Sequence, residues 1–195
     1  SFSSYFISNK TIISIGSDCR LENGEENCFS YNDHYLYYLV GSPDDQAATE
    51  YVFIGDRLTS GNIDFFRDEV LDSVNTLVNS DAGSLINGFF SIAVIEEVAL
   101  TELSAFEIEM GCYPSTPNVY CINDVSRPRI ENAFNYDVAA FISSLPGRGV
   151  AQGDINIQEL TVSTEEVVMH ELGHSHGYMG DEYDSGEEYD TDLPR

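Results

Sequence analysis

Basic residues are scarce. Eight lysines and arginines stand against 34 aspartates and glutamates, for a formal net charge of -26, and the few cations never cluster. A surface of that sign repels phosphate backbones and anionic lipid, so nucleic acid and membrane partners are disfavoured. It attracts cations, and carboxylates bridged by cations offer a route to self-association. Long apolar runs are absent as well: nothing approaches the roughly 20 residues of a membrane span, and the chain reads as soluble. Histidine is nearly lacking, with four in 195 residues, three of them within "MHELGHSHGYMGDEY" at residues 169–183.

Hydrophobic residues make up 42% and charged residues 22%, ordinary proportions for a folded chain whose length suits one main domain. The four cysteines form two pairs, Cys19 with Cys28 and Cys112 with Cys121, each enclosing eight residues. A structural zinc site prefers a tighter spacing, so both read as local disulfides of an oxidising compartment, with free thiols as the alternative. "SFSSYFISNK" has neither a basic start nor an apolar run. A mature, processed secreted chain, extracellular or periplasmic, fits both features.

Residues 1–45 read as a β-rich N-terminal segment, with "YFIS", "KTIISI" and "HYLYYLV" as strands around the polar loop "GSDCRLENGEEN". "GSPDDQAATE" marks a boundary, and residues 46–195 form the main α/β domain. There "EYVFIGD" is a strand. Ile63, Phe66, Val70, Val74, Leu77 and Val78 recur at three- and four-residue steps, the mark of an amphipathic helix packed on a sheet. "GFFSIAVIEEV" and "YDVAAFISSL" supply two further buried strands, and "GCYPSTPNVYCIND" is a loop between them. After the Gly-rich loop "PGRGVAQG", "DINIQELTVS" reads as a partly exposed strand. There is no internal repeat.

Ser163 and Glu166 form a capping box, so a helix should start near Thr164 and continue through "EEVVMHELGHSH". His170 and His174, four apart, then share one face, the spacing at which two imidazoles hold one metal ion. Glu171, beside the first ligand, can take a proton from a water activated by that metal. Gly177 lets the helix stop and the chain turn back. Catalytic zinc keeps three protein ligands and an open position. The compact metzincin pattern places its third ligand ten residues after the first histidine, where this chain has Gly180. Asp181 follows directly and is the preferred third ligand, with Glu182 in reserve.

"HELGHSHGYMGDEY" resembles the HELGHxxGxxxDEY signature of the M64 (IgA peptidase) family of secreted zinc metallopeptidases. Similarity at the level of pattern extends back through "YVFIGDRLTSGNIDFFRDEV", "INGFFSIAVIEEV" and "YDVAAFISS", covering about residues 50–183. The resemblance implies a zincin-like α/β fold: a mixed sheet with packed helices and an active-site helix. It implies zinc on His170, His174 and Asp181, Glu171 as general base, and hydrolysis of peptide bonds in a protein or peptide substrate. It also implies that the edge strand before the helix aligns an extended substrate by strand addition. Compact zincins carry a C-terminal subdomain with a methionine turn after the third ligand. No methionine follows Met179 and the sequence stops at Arg195, so that subdomain is expected to be missing.

Other residues carry weaker signals. His34, among tyrosines, reads as a surface or stacked strand residue. His176 points away from the metal face and takes a supporting or solvent role. Tyr178 and Tyr183 are candidates to donate to a tetrahedral oxyanion, against simple packing. Asp181, Glu182, Asp184, Glu187, Glu188, Asp190 and Asp192 crowd into twelve residues, a candidate calcium site or a solvated acidic tail. Asn9 is formally a glycosylation acceptor. The expected function is a secreted zinc endopeptidase. The competing one is a non-catalytic structural or adhesive module that retains zinc and binds calcium through its acidic surface.

Overall fold

The computed structural model describes residues 10–14, 17–22, 25–30, 33–42, 49–79, 90–98, 100, 104, 106–111, 117–122 and 136–175. Among them run strands β1 (Thr11–Ser14), β2 (Ser17–Glu22), β3 (Glu25–Ser30), β4 (Asp33–Val40) and β5 (Thr49–Asp56), then helix α1 (Ile63–Asn79). β6 (Phe90–Glu97), β7 (Ile108–Met110), β8 (Tyr120–Ile122), β9 (Val138–Ser143), β10 (Val150–Gln152), β11 (Ile155–Glu159) and helix α2 (Thr164–Ser175) follow.

Seven strands form one mixed sheet in the order β1-β4-β6-β5-β9-β11-β10. β6, β5, β9 and β11 are mutually parallel. β4 and β1 extend one side antiparallel, and β10 closes the other, antiparallel to β11. Parallel strands need cover on both faces, which is why β5, β6 and β9 read as unbroken apolar runs. Phe53, Ile92, Val94, Ala140 and Ile142 pack under Phe66, Val70, Val74 and Leu77 of α1 and Val168 and Leu172 of α2. On the opposite face Val52, Ile54, Ile95, Phe141, Ile155 and Ile157 meet Phe106, Ile108 and Tyr120, from the segment around the two-stranded β7–β8 sheet.

The helix α1 follows its predicted stripe: Ile63, Phe66, Val70, Val74 and Leu77 are buried, and Val78 packs at the margin. Its start is tied by Asn62, whose Oδ1 accepts the Thr59 N–H at 2.6 Å while its carbonyl accepts that of Phe66 at 2.9 Å. The Gly-Asp exit of β5 has a steric cause. A Cβ at Gly55 would lie 2.2 Å from Leu58 Cδ1 and 3.2 Å from Phe66 Cζ, so only glycine lets the fully buried Leu58 fold back under α1. Next to it Asp56, also fully buried, accepts the hydroxyls of Ser104 and Ser143. Burial raises its carboxyl above the ordinary range against the opposing pull of Ser104, Ser143 and Arg57.

A second buried carboxylate, Glu96 on β6, is 1% exposed and receives Arg67 in a fork: Nε to Oε1 and Nη2 to Oε2, both 2.9 Å. Lys10 Nζ adds a contact of 2.9 Å, and Tyr37 donates its hydroxyl. Burial alone would raise the Glu96 carboxyl. The bonds from Arg67, Tyr37 and Lys10 outweigh it and hold the group below the usual carboxylate range.

Three expectations are corrected. The stretch read as a polar loop holds β2 and β3, paired antiparallel with Cys19 opposite Cys28; a two-stranded ladder needs no apolar alternation, and the Asn23-Gly24 dipeptide between the strands is the usual hairpin signal. β11 is no partly exposed strand, because Ile155–Gln158 are buried between β9 and β10. His34 is stacked but not at the surface: it is 0% exposed, with its ring 5.3 Å from that of Phe106. β1 and β4 also lie in the same sheet as β5 and β6, so the boundary near residue 45 falls within one sheet. Cys121 is disulfide-bonded, while its expected partner Cys112 lies outside the described residues. Among the described residues no helix is long and apolar enough to cross a membrane.

Candidate metal centre

Helix α2 begins at Thr164 as the sequence predicts, but its start is tied differently. The Thr164 hydroxyl accepts the Thr161 N–H at 2.8 Å and reaches the Thr161 carbonyl at 2.6 Å. The Ser163 N–H goes to Thr161 Oγ1 at 3.3 Å. Glu166 is exposed and lines the cleft described below. Val168 and Leu172 face the sheet, and Thr76 of α1 bonds Glu165 across the two helices. Near the far end Ser175 donates to Asn156 of β11. The helix is therefore fixed at both ends, which sets the rotation of the face carrying the histidines.

That face brings His170 and His174 together. Their Nε2 atoms are 3.1 Å apart, with ring centroids 4.6 Å apart and planes at 89°. Two imidazole nitrogens about 2.0–2.1 Å from a tetrahedral zinc lie roughly 3.3 Å from each other. The two nitrogens are thus already at chelating separation, on a partly exposed face that a metal can reach. Without a metal, one ring has to donate an Nε2 proton to the other. The pair fits zinc, and it accounts for two ligands.

Glu171 sits one residue along and is 7% exposed. Its Oε1 lies 3.2 Å from where a Cβ at Gly149 would stand, and Val167 Cγ1 is 2.9 Å from the same point. Gly149 therefore leaves the space that the carboxylate occupies. Between α2 and β10 opens a cleft of about 690 Å³ lined by Val119, Arg148, Gly149, Val150, Glu166, Val167, His170, Glu171 and His174. A second groove of about 540 Å³ continues past His174, along Ala151, Gly153, Asp154, Ser175, Val138, Asp137 and Thr49. β10 runs beside both, with one edge paired to β11 and the other at the end of the sheet.

Arg148, Gly149 and Glu166 were not singled out by the sequence as cleft residues. β10, three residues inside a Gly-rich stretch, is too short to show alternation. Among the described residues no three His, Cys, Asp or Glu side chains converge as a metal set. Gly177, Tyr178, Gly180, Asp181, Glu182, Tyr183, His176 and the acidic run to Asp192 lie outside the described residues, as does Asn9. No protein-family model matches the chain, and no curated protein sequence matches it.

Proposed function

We propose that the chain is a secreted zinc-dependent endopeptidase of zincin-like fold. The observation that carries the reading is the convergence of His170 and His174 Nε2 at 3.1 Å on the wall of an open cleft, with the buried Glu171 carboxylate beside them. Structural zinc sites are closed by four protein ligands, whereas a site facing a cleft of this size leaves room for substrate. A HExxH helix lying over a mixed sheet beside a short antiparallel edge strand supports the fold assignment, and the bonded Cys121 supports an oxidising compartment.

In this reading His170 and His174 hold the metal, with Asp181, or in its place Glu182, as third ligand. Zinc so held would polarise the scissile carbonyl and acidify a water. Glu171 takes the proton of the attacking water on its carboxylate and returns it to the departing amide nitrogen. β10 offers backbone groups along the cleft to an extended substrate.

The test is metal content by mass spectrometry on the purified protein, with casein cleavage measured with and without a zinc chelator. One zinc per chain and chelator-sensitive cleavage, abolished in Glu171→Gln with zinc retained, is the expected result. Zinc without cleavage would move the weight to a non-catalytic module, and absence of zinc would end the metal reading.

A further inference from the structure

Strand β11 carries two amide side chains where a strand covered on both faces would ordinarily be apolar. Asn156 and Gln158 are both fully buried. They alternate with Ile155 and Ile157, which pack in the apolar cluster on the far face of the sheet. Side chains alternate along a strand, so both amides leave β11 on the face covered by α2. Asn156 marks that face, because its Oδ1 accepts the hydroxyl of Ser175. Gln158 is different: among the described residues neither its Nε2 nor its Oε1 has a hydrogen-bond partner. A buried amide with both ends unpartnered costs free energy that an apolar side chain of the same size would avoid, so a partner in another state of the protein is called for.

Two registers place that amide. Helix α2 runs back along β11, since Thr164 at its start donates to the Glu159 carbonyl at 3.2 Å and Ser175 at its end sits on Asn156. Four residues back from Ser175, about 6 Å along the helix, stands Glu171, whose carbonyl accepts the Ser175 hydroxyl at 3.1 Å. Two residues on from Asn156, about 6.6 Å along the strand, stands Gln158. Glu171 therefore lies over Gln158 as Ser175 lies over Asn156. The β10–β11 ladder agrees. Carried one pair beyond Val150 and Ile157, it sets Gly149 across from Gln158, and Glu171 Oε1 is 3.2 Å from where a Cβ on Gly149 would stand.

We propose that Gln158 is a positioning residue for Glu171, its amide supplying in the zinc-loaded protein the hydrogen bond that aims the carboxylate into the cleft. This rests on the peptidase reading and adds a residue to its machinery. Hydrogen bonds to a catalytic group are often open in the resting protein and close when the site is loaded. An amide suits the task because it both donates and accepts. It can face Glu171 with either end as the carboxylate takes up the proton and gives it back.

The test is Gln158→Met, which keeps length and bulk and removes donor and acceptor together. With a quenched fluorescent casein peptide, kcat should fall about tenfold or more at unchanged KM, with one zinc per chain retained. A second readout needs no turnover. Thermal unfolding is measured at one zinc concentration for the parent, Gln158→Met, Glu171→Met and the double variant. The shift caused by Gln158→Met should differ by about 2 °C or more between the parent and Glu171→Met. If the methionine variant does not fold, Gln158→Leu takes its place in both measurements. In a parent that cleaves, equal shifts, an unchanged kcat or a loss of zinc overturn the inference and leave the peptidase standing. Unequal shifts in a parent that cleaves nothing keep the contact and remove the peptidase. Equal shifts in such a parent remove both.

Discussion

Replacing Arg67 with methionine keeps the aliphatic stem and deletes the fork that holds Glu96. Two charge-assisted bonds of 2.9 Å are lost from a carboxylate that is 1% exposed. Breaking a buried ion pair from one side costs about 3–5 kcal/mol, and because Arg67 itself is 26% exposed the lower end applies. The carboxylate keeps Lys10 and Tyr37, and it can offset the lost fork by binding a proton. At pH 7 that costs about 3.4 kcal/mol for a carboxyl of ordinary affinity, and each lower pH unit makes it about 1.4 kcal/mol cheaper.

The variant should therefore be about 3 kcal/mol less stable than the parent at pH 7 and only about 1 kcal/mol less stable at pH 5. The parent behaves oppositely. Its depressed Glu96 affinity contributes stability above the ordinary carboxylate range and loses it as pH falls through the lower folded value. Urea unfolding at pH 7, 6 and 5 measures both, and Glu96→Gln combined with Arg67→Met isolates the pair. A loss that does not change with pH, or one below about 1 kcal/mol at pH 7, would refute the reasoning.

Three further outcomes follow from the site and its supports. His174→Ala should weaken zinc binding by at least about a hundredfold in competition with a chromophoric chelator, since one of the two converging nitrogens is gone. Gly149→Ala places a methyl 3.2 Å from Glu171 Oε1 and 2.9 Å from Val167; it should lower kcat by roughly tenfold or more by displacing the carboxylate while zinc content stays at one per chain. Gly55→Ala, with a Cβ 2.2 Å from Leu58 Cδ1, should cost about 1–3 kcal/mol in chemical denaturation without altering zinc affinity.

Much of this was legible in the sequence because the signals were local. The stripe from Ile63 to Leu77 needed only helical spacing, and the start of α2 near Thr164 was signalled by a Ser163–Glu166 capping box, although Thr161 and Thr164 supply the bonds found there. His170 and His174 meet because a step of four residues makes just over one helical turn, whatever the fold. The edge strand and both cavities were not legible. β10 is three residues long, and its place is set by pairing with β11 rather than by its own pattern. The roles of Gly149 and Gly55 depend on what lies across from them, which no spacing along the chain encodes. His34 looked superficial because its neighbours are tyrosines, yet it pairs across from Glu97 on a strand whose other side is covered.

The central pairing of the sheet also dictates an order of assembly. The Glu50 N–H bonds Asp137 across 87 positions, and from there β5 runs beside β9. β11 then joins β9, and only after it comes the helix with the histidines. Contacts so distant in sequence are slow to form, because a long loop must close before any contact compensates for its entropy. On a ribosome, β5 and β6 emerge with one flank bare until residue 143 is out of the tunnel, a stretch of synthesis during which apolar strand edges are open to mispairing. The histidine helix is the last described element to appear, so His170 and His174 can be brought together only after the strands beneath them have been made.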